Sequence, residues 1–379
     1  MLIYQSSRSP ALTAAVAGLE ALPYLLFGLL AGAIADQLPR RAMMVGSDVA
    51  CALLLATLPA AHAWGALSPW HVLAVAFGIG CGFCFFDAAA WGAQLRLVGK
   101  SRIATANSMI WSTEVVMEIG APAAAGLLAA MTDPTAVLAA DAVTYLASAA
   151  LIAQVGSGLD GLDGSDVALA RSAPRRLRAD IREGLAYVWH QPVIRTLCLT
   201  GFGFNMACGG ALSLLVVHAD QVLGLTPPDR RIGLLYTAGA VGSLIAAGAL
   251  PRLSRHIGQG PVSIIGYAVF IAATLGLTVN PFFTGGLLLW ATWTFSQLVV
   301  NGNGITVRQM LTPDELQGRV NTTGRMIAWG GTPFGALLGG WLAQAAGVRI
   351  AYLTLAVPAA IGLAILLATP VRGLRIPTS

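Results

Sequence analysis

The sequence predicts an all-α protein that crosses a membrane many times, and three observations carry this prediction. Of the 379 residues, 56% are hydrophobic and only 10% are charged, and the mean hydropathy is +0.73. Soluble domains carry about 25% charged residues. The apolar residues also form continuous runs of the length that a membrane-spanning helix needs, about 20 residues, rather than the short alternating segments of a β-barrel.

Eleven apolar runs are long enough to be transmembrane helices. We predict the spans 11–35, 43–63, 70–92, 108–130, 135–155, 197–219, 232–250, 261–280, 282–305, 322–346 and 349–369. Eighteen Lys and Arg residues fall on the side of the loop at 36–42, and four fall on the opposite side. Since Lys and Arg concentrate in cytoplasmic loops, this predicts a multi-pass cell-membrane protein with a cytoplasmic C-terminus. The net charge of +5 is too small and too dispersed for a nucleic-acid partner, so the lipid bilayer is the expected one.

One long polar segment, 156–192, divides the spans into five and six. Its first part is rich in Gly, Asp and Ser and reads as a linker. From Pro174 an amphipathic helix is expected on the cytoplasmic membrane surface, with an apolar stripe made by Leu177, Ile181, Leu185 and Val188. We therefore expect an N-terminal bundle at 1–155, a cytoplasmic linker at 156–192 and a C-terminal bundle at 193–379.

The chain offers no pattern for metal, cofactor or covalent chemistry. Cys81 and Cys84 form a CxxC in the middle of a span, with no second pair and no nearby His, so small packing residues are the expected role. No nucleophile motif and no phosphate-binding Walker loop is present. We expect neither an enzyme nor a cofactor.

A weak internal repeat relates the two groups of spans. Gly120–Ala121–Pro122 recurs 211 residues later as Gly331–Thr332–Pro333. Applied to the first span of the second group, the same offset reaches back before residue 1. We therefore expect the first group to lack its opening helix.

Three segments resemble the major facilitator superfamily, and more narrowly its macrolide-efflux and enterobactin-exporter branch. They are GAIADQLPRR at 32–41, which we call the signature turn, ATANSMIWSTEVVMEIGAP at 104–122, and the stretch with TPDELQGRV at 312–320. The resemblance implies two pseudo-symmetric helix bundles around a central cavity that opens alternately to the two sides of the membrane. It also implies a small-molecule substrate, with protons as the coupling ion.

The signature turn is the first candidate functional element. It opens at Gly32, where another helix can pack closely. Asp36 is placed to cap a neighbouring helix, and Arg40 or Arg41 to pair with an acid such as Asp48. Contacts of this kind form in only one access state and so act as a gate. The alternative for the two arginines is that they only fix topology.

Glu114 and Glu118 are the candidate proton or substrate site, on one helical face with Asn107. Glu118 lies roughly 15 Å into its span, where an ionised carboxylate costs about 2.5–3.5 kcal/mol or more. A carboxyl group at that depth either titrates during transport or makes a structural hydrogen bond. The sequence leaves both readings open.

Amide side chains in the second group of spans are further candidates. Asn205, Gln297 and Asn301 lie in spans that match the cavity-lining helices of the resemblance, with Trp290 and Trp293 nearby. They either contact substrate or make hydrogen bonds between helices, while the tryptophans are expected at the membrane interface. Small residues and prolines that permit close helix approach or bending are Gly120, Pro122, Gly331, Pro333, Gly335 and Gly339.

The expected function is secondary active transport, with proton-coupled efflux of a small hydrophobic or amphipathic organic molecule. The alternatives are an uptake permease of the same superfamily and a transport-inactive membrane protein. The sequence leaves the substrate, the coupling ion and the oligomeric state open.

Overall fold

The computed structural model describes residues 2–35, 38–98, 109–110, 113, 117, 134–155, 173–227, 229–313 and 316–375. Within these ranges the regular structure is α-helical, apart from one short 3-10 helix at Pro370–Gly373. The helices are α1 (Leu2–Ser7), α2 (Pro10–Ala35), α3 (Arg40–Ala63), α4 (Pro69–Val98), α5 (Pro134–Gln154), α6 (Ala173–His190), α7 (Pro192–Ser213), α8 (Leu215–Gln221), α9 (Arg230–Ile257), α10 (Gln259–Val279), α11 (Phe283–Leu311), α12 (Gln317–Trp329), α13 (Gly331–Ala346) and α14 (Val348–Ala368).

The helical, membrane-spanning fold class is confirmed. In the described part of the chain eight helices are long and apolar enough to cross a membrane. Helices α7 and α8 form a ninth candidate, bent by 53° where they meet. The backbone of such segments must satisfy its own hydrogen bonds in lipid, and a helix does so. The expected span 108–130 falls almost entirely outside the described residues.

Two spans depart from the single continuous helices expected from the sequence. The span 197–219 is divided at Leu214, and the span 322–346 is divided at Gly330 into α12 and α13. Gly331 opens α13 directly against α7, and a Cβ atom there would lie 2.1 Å from the carbonyl oxygen of Phe202. The backbone of α13 thus approaches α7 as closely as glycine permits.

The helices form two bundles that follow the order of the chain. Helices α2 to α5 are the N-terminal bundle, in which α2 packs on α4 and α3 packs on α4 and α5. Helices α7 to α14 are the C-terminal bundle, built around α7, which packs on α12, α13 and α14. The ends of the spans define two sides of the molecule. The Tyr4 side holds the start of α2, and the Arg41 side holds the start of α3.

The C-terminal bundle has a continuous aromatic core. The ring of Phe204 lies 4.5 Å from that of Phe270, which lies 5.0 Å from that of Trp293. Trp290 and Trp293 stack at 4.7 Å, and Trp293 Nε1 donates a hydrogen bond to Thr274 Oγ1 at 3.1 Å. Both tryptophans are fully buried. The expectation that they sit at the membrane interface was therefore wrong, because their indole groups fill the helix core instead.

Helix α6 follows the undescribed part of the linker and lies against the C-terminal bundle. Val188 is buried in a cluster with Ile194, Cys198 and Val320, and the Tyr187 hydroxyl donates to the Leu311 carbonyl oxygen at 2.9 Å. Leu185, from the same predicted stripe, is exposed. The side chains of Leu177 and Ile181 are outside the described residues. The C-terminal turns of α6 are thus docked on protein through Val188.

Candidate substrate pathway between the two bundles

Helix α2 carries the contact between the two bundles. A Cβ atom on Gly340 of α13 would lie 2.6 Å from the Ala14 Cβ atom, and one on Gly18 would lie 3.0 Å from Leu337. Ala14 and Tyr4 also belong to the large buried cluster of the C-terminal bundle. Small residues on both helices allow this close approach. The bundles therefore share a packed seam on the Tyr4 side of the molecule.

Polar groups close the same seam at its end. The Tyr4 hydroxyl donates to Asp220 Oδ2 at 2.7 Å, Arg8 lies 3.6 Å from the same oxygen, and Ser9 Oγ donates to Gln344 Oε1 at 2.9 Å. Burial and the hydrogen bond to Asp220 raise the pKa of Tyr4 to about 12. The phenol consequently remains a hydrogen-bond donor at physiological pH.

This cluster was not found by reading the sequence. In the sequence, Arg8 is one of the four Lys and Arg residues on the side of the membrane opposite the loop at 36–42. Tyr4 and Asp220 are 216 residues apart. The one available signal is an acid at the end of an otherwise apolar run. It does not indicate which residue the acid contacts.

Toward the Arg41 side, α2 lies near α12 and the residue that joins α12 to α13. Leu25 lies 3.5 Å from the position of a Cβ atom on Gly330. Tyr24 donates a hydrogen bond to Asp87 of α4, and it lies within electrostatic reach of Arg325 of α12. An acid from one bundle and a guanidinium from the other thus face the same region.

Aromatic rings accompany these charges. The Arg325 guanidinium carbon lies 4.8 Å from the ring centroid of Trp329, whose residue is 46% exposed. Phe83 is 58% exposed, with its ring 6.4 Å from Tyr24. Rings combined with a few charged groups are the usual lining of a small-molecule site. The arrangement suits a molecule with both an apolar body and a polar group.

The amide side chains expected to line the pathway hold two helices together. Asn205 Nδ2 donates to Asn301 Oδ1 at 3.2 Å, which joins α7 to α11. Asn205 is buried, and Asn301 is partly exposed. Gln297, one turn before Asn301, is also partly exposed. Of the two readings left open by the sequence, the structure shows the helix–helix hydrogen bond for Asn205 and Asn301.

The signature turn is described only in part. Gly32 lies in the last turn of α2, Asp36 is outside the described residues, and Arg40 and Arg41 begin α3. Arg41 donates to the carbonyl oxygen of Ala153 at the end of α5. This cation therefore satisfies a carbonyl group at the C-terminal end of a neighbouring helix.

Asp48, the acid named as a partner for Arg40 or Arg41, contacts α5 in this conformation. It lies on α3 two turns beyond Arg41, is only 5% exposed, and makes a side-chain hydrogen bond with Ser148 of α5. Its Oδ2 atom has no hydrogen-bond partner. The face of α3 that carries Asp48 is therefore turned toward α5 here, and a contact with either arginine stays a prediction for the other access state.

Other expected site residues fall outside what the structure describes. These are Asn107, Glu114, Glu118, Gly120 and Pro122. The glycines of α13 are described: a Cβ atom on Gly335 would lie 1.7 Å from the Met206 carbonyl oxygen, and one on Gly339 would lie 3.1 Å from Leu355. Pro333, two residues before Gly335, is also buried.

One buried cation was missed by the sequence reading. Arg308 follows the end of the predicted span 282–305, but it lies in the last turn of α11 and is only 6% exposed. It makes a side-chain hydrogen bond with Cys198 of α7, and its side chain covers Gly324 of α12. In the sequence, Arg308 stands at the polar end of a long apolar run. That position does not indicate that α7, α11 and α12 surround its side chain.

The structure consists of two bundles of apolar helices that pack together along one seam. Beyond that seam, charged side chains and aromatic rings line the bundles. These features define a multi-pass membrane protein of the transporter class. Residues 1–376 match the family model described as transmembrane secretion effector, of the MFS type. The chain belongs to this family of the major facilitator superfamily. It is therefore a transporter and not an enzyme, as the sequence predicted.

Similar proteins agree with this assignment. The multidrug efflux pump Tap of Mycolicibacterium fortuitum is 27% identical over 368 residues, which cover 94% of this chain and 87% of the pump. Macrolide efflux protein A of Streptococcus pyogenes is 24% identical over 185 residues, which cover 48% of this chain and 43% of that protein.

Solved structures show the same fold at low identity. A crystal structure of the nucleoside transporter NupG matches with a TM-score of 0.76 and 12% identity, over 97% of this chain and 92% of that one. A bacterial homologue of the human lysosomal transporter Spinster, in an inward-facing and unoccupied conformation, matches with a TM-score of 0.73 and 15% identity, over 100% and 93%. The prediction of a major facilitator fold is confirmed.

Proposed function

We propose that the chain exports a small hydrophobic or amphipathic organic molecule, driven by the proton gradient. Two similar proteins are named as efflux proteins, one for multiple drugs and one for macrolides. The exposed rings beside Asp87 and Arg325 suit a substrate of this kind. This supports a drug, a siderophore or a secondary metabolite as the substrate class.

The observation that carries the proposal is the polar contact between the bundles on the Tyr4 side. There Tyr4 and Arg8 contact Asp220, and Ser9 contacts Gln344, so the two bundles are held together at this end. Alternating access requires that such a contact form in one access state and break in the other. The distribution of Lys and Arg supports a cytoplasmic Arg41 side and a cytoplasmic C-terminus.

The signature turn acts as the gate of the Arg41 side in this proposal. Asp36, Arg40 and Arg41 make contacts that exist only when this side is closed, and so bias the equilibrium between the access states. The division into bundles at 1–155 and 193–379, with a cytoplasmic linker at 156–192, provides the two bodies that move. Protons are coupled through Glu118, with Glu114 and Asn107 on the same face.

Everted membrane vesicles test the direction and the energy source together. The chain is expressed in a bacterial strain without its own multidrug pumps, and uptake of a labelled macrolide, erythromycin, is followed with an acid vesicle interior. We expect uptake that collapses when an uncoupler removes the gradient. Glu118→Gln is expected to abolish the response to the gradient, and Asp36→Asn to slow flux in both directions.

Two other results would identify the alternatives. Accumulation only in right-side-out vesicles would indicate an uptake permease. No gradient-dependent flux in either orientation, for the macrolide or for a wider drug panel, would indicate a transport-inactive protein.

A further inference from the structure

Asp48 is an unusual group to find inside a membrane-spanning helix. It lies eight residues after Arg40, about 12 Å into α3 at 1.5 Å per residue. Its residue is 5% exposed, and Oδ2 has no hydrogen-bond partner. The hydrogen bond from Ser148 is the one that the structure gives to its carboxyl group. An ionised carboxylate buried with one neutral donor is strongly disfavoured in a medium of low dielectric.

The groups around Asp48 add no positive charge. Tyr145 of α5 and Cys51 of α3 lie within electrostatic reach of Asp48, and the groups within reach of these two are Asp141 of α5, Glu20 of α2 and Cys81 of α4. These are all neutral or acidic. Arg41, the nearest cation along α3, donates to Ala153 instead. Among the described residues that face Asp48, nothing compensates a negative charge.

Three acids of the N-terminal bundle lie around Tyr145. Tyr145 is within electrostatic reach of Asp48, Asp141 and Glu20, and Glu20 and Asp141 are within reach of each other. Along their helices, Asp141 and Glu20 lie about 20 Å from the Arg41 side, against about 12 Å for Asp48. Asp141 and Glu20 are exposed at the surface of the bundle, whereas Asp48 is buried. The group therefore combines one buried carboxyl group with two exposed ones.

We propose that Asp48 is a membrane-embedded proton-binding site. Its Oδ2 atom carries a proton in the present conformation, and Tyr145 lies within electrostatic reach of Asp48, Asp141 and Glu20. On release, the O–H bond of the Asp48 acid breaks and a new O–H bond forms on the carboxylate of Asp141 or Glu20. Asp48 is then an ionised carboxylate, so the proton transfer places one negative charge on α3.

A metal ion is not the ligand that this cluster favours. In the described part of the chain no group of three His, Cys, Asp or Glu residues is arranged to hold one. A proton needs only one carboxyl group and a path to it. The role of Asp48 as a coupling site rests on the proposed proton-driven transport, whereas proton binding at Asp48 does not.

Infrared difference spectroscopy on the full chain in lipid nanodiscs tests proton binding directly. We expect wild-type protein to show a carboxylic-acid C=O band at neutral pH, part of which disappears in Asp48→Asn. Asp229→Asn is the matched control, because Asp229 lies in a loop and pairs with Arg231 at 2.8 Å. That control is expected to leave the band unchanged, and an Asp48→Asn spectrum identical to wild type would overturn the proposal.

Ser148→Ala provides a second measurement that does not replace the acid. The carboxyl group should remain protonated but lose its hydrogen bond, so the frequency of its C=O band should shift while its intensity stays. Asn has the shape and charge of a protonated Asp, so Asp48→Asn should also fold with an unchanged thermal midpoint. An unshifted band in Ser148→Ala would contradict the proposed location of the proton.

Proteoliposomes then separate coupling from substrate binding. With erythromycin as the probe, Asp48→Asn should lower gradient-driven accumulation by about tenfold while exchange without a gradient continues. Unchanged gradient-driven accumulation would overturn the coupling role. If wild-type protein moves no macrolide at all, the proposed function fails, and the infrared result still decides whether Asp48 binds a proton.

Discussion

The N-terminal and C-terminal bundles differ most clearly in where their acids lie. In the described part of residues 1–155, four acids lie within helices α2 to α5, namely Glu20, Asp48, Asp87 and Asp141. In the described part of the chain from residue 192 onward the acids are Asp220 and Asp229, which lie at helix ends. Among the described residues, carboxyl groups in the interior of a span therefore belong to the N-terminal bundle.

Within the described residues, the C-terminal bundle contains the larger hydrophobic core. Its main buried cluster includes Phe204, Phe270 and Trp293, whereas the largest described cluster restricted to the N-terminal bundle has four fully buried members. Polar groups inside the C-terminal bundle are mostly amides and hydroxyls with partners, such as Asn205 with Asn301. Neutral partnered groups rigidify a bundle without titrating.

This difference indicates that the two bundles have different roles, although the fold is pseudo-symmetric. In our proposal the N-terminal bundle, which holds the buried Asp48, changes its charge, while the bundle with the aromatic core keeps one packing. A proton bound on one side of the seam then changes the energy of the contact between the two bundles. The predictions below test that division, starting with the packing of the C-terminal bundle.

The largest effect is expected for Gly335→Ala. The new Cβ atom would lie 1.7 Å from the Met206 carbonyl oxygen, so α13 and α7 would have to move apart. We expect a loss of about 3 kcal/mol or more, the upper end of overpacking costs. Thermal unfolding followed by fluorescence-detected size exclusion measures it. Gly304→Ala on α11 is the control, with nothing within 4 Å of its Cβ position.

Two glycines of the N-terminal bundle test whether tight helix packing distinguishes the C-terminal bundle from it. Gly46 on α3 has open space around it, so Gly46→Ala should be neutral. Gly80 on α4 is packed against Glu20, with its Cβ position 2.1 Å from that carbonyl oxygen. If Gly80→Ala destabilises as much as Gly335→Ala, rigid packing is a property of both bundles, and only the acids distinguish them.

A smaller effect is expected when the Tyr4 side loses its hydrogen bond. Tyr4→Phe leaves Asp220 with Arg8 alone, and a hydrogen bond to a charged group contributes about 1.5–3 kcal/mol. The population open on the Tyr4 side should rise by about tenfold or more. Spin labels at Ala66 and Ala346, with Cys81 replaced, report the distance between bundles on that side.

Ser9→Ala is the control for this measurement. The Ser9–Gln344 hydrogen bond is exposed, so its loss should change the distance distribution much less. A Tyr4→Phe distribution identical to wild type would show that the Tyr4 hydrogen bond is not needed to close the seam.

The sequence predicted the helices well because the membrane constrains them locally. A run of about 20 apolar residues must form a helix in lipid, whatever its neighbours are. The break at Leu214 and the break at Gly330 were not predictable in the same way. Each depends on what the helix meets in space, as Gly331 meets Phe202.

The candidate site was less predictable than the fold, for the same physical reason. Asn205 and Asn301 were recognised as residues of interest, but a single sequence does not show that they bond to each other. Asp48 was assigned to Arg40 or Arg41 because these are close in sequence, whereas its contact is Ser148, 100 residues away. Long-range partners decide what a buried polar group does.

The pair formed by Asn205 and Asn301 should have a modest coupling energy. Hydrogen bonds between membrane helices average about 0.6 kcal/mol in double-mutant cycles. We expect a similar value from the unfolding free energies of Asn205→Ala, Asn301→Ala and the double variant. A coupling near zero, together with altered macrolide affinity in either single variant, would instead assign these amides to the substrate.

The smallest effect is expected at Asp229, outside the spans. Its carboxylate accepts a hydrogen bond from the Arg231 backbone N–H at 2.8 Å and caps the start of α9. Loss of such a cap typically costs about 1 kcal/mol, so Asp229→Ala should lower the thermal midpoint slightly.

The pH dependence of this cap has a definite sign. The hydrogen bond and charge of Arg231 hold the pKa of Asp229 below its usual value of 3.8. The stabilisation is therefore complete above pH 3.8 and is lost as the pH falls through the lower folded value. Wild type and Asp229→Ala should differ at neutral pH and converge in acid. Asp229 faces water beside a cation, unlike Asp48. If the stability difference between wild type and Asp229→Ala grew on acidification, Asp229 would not be an ionised cap.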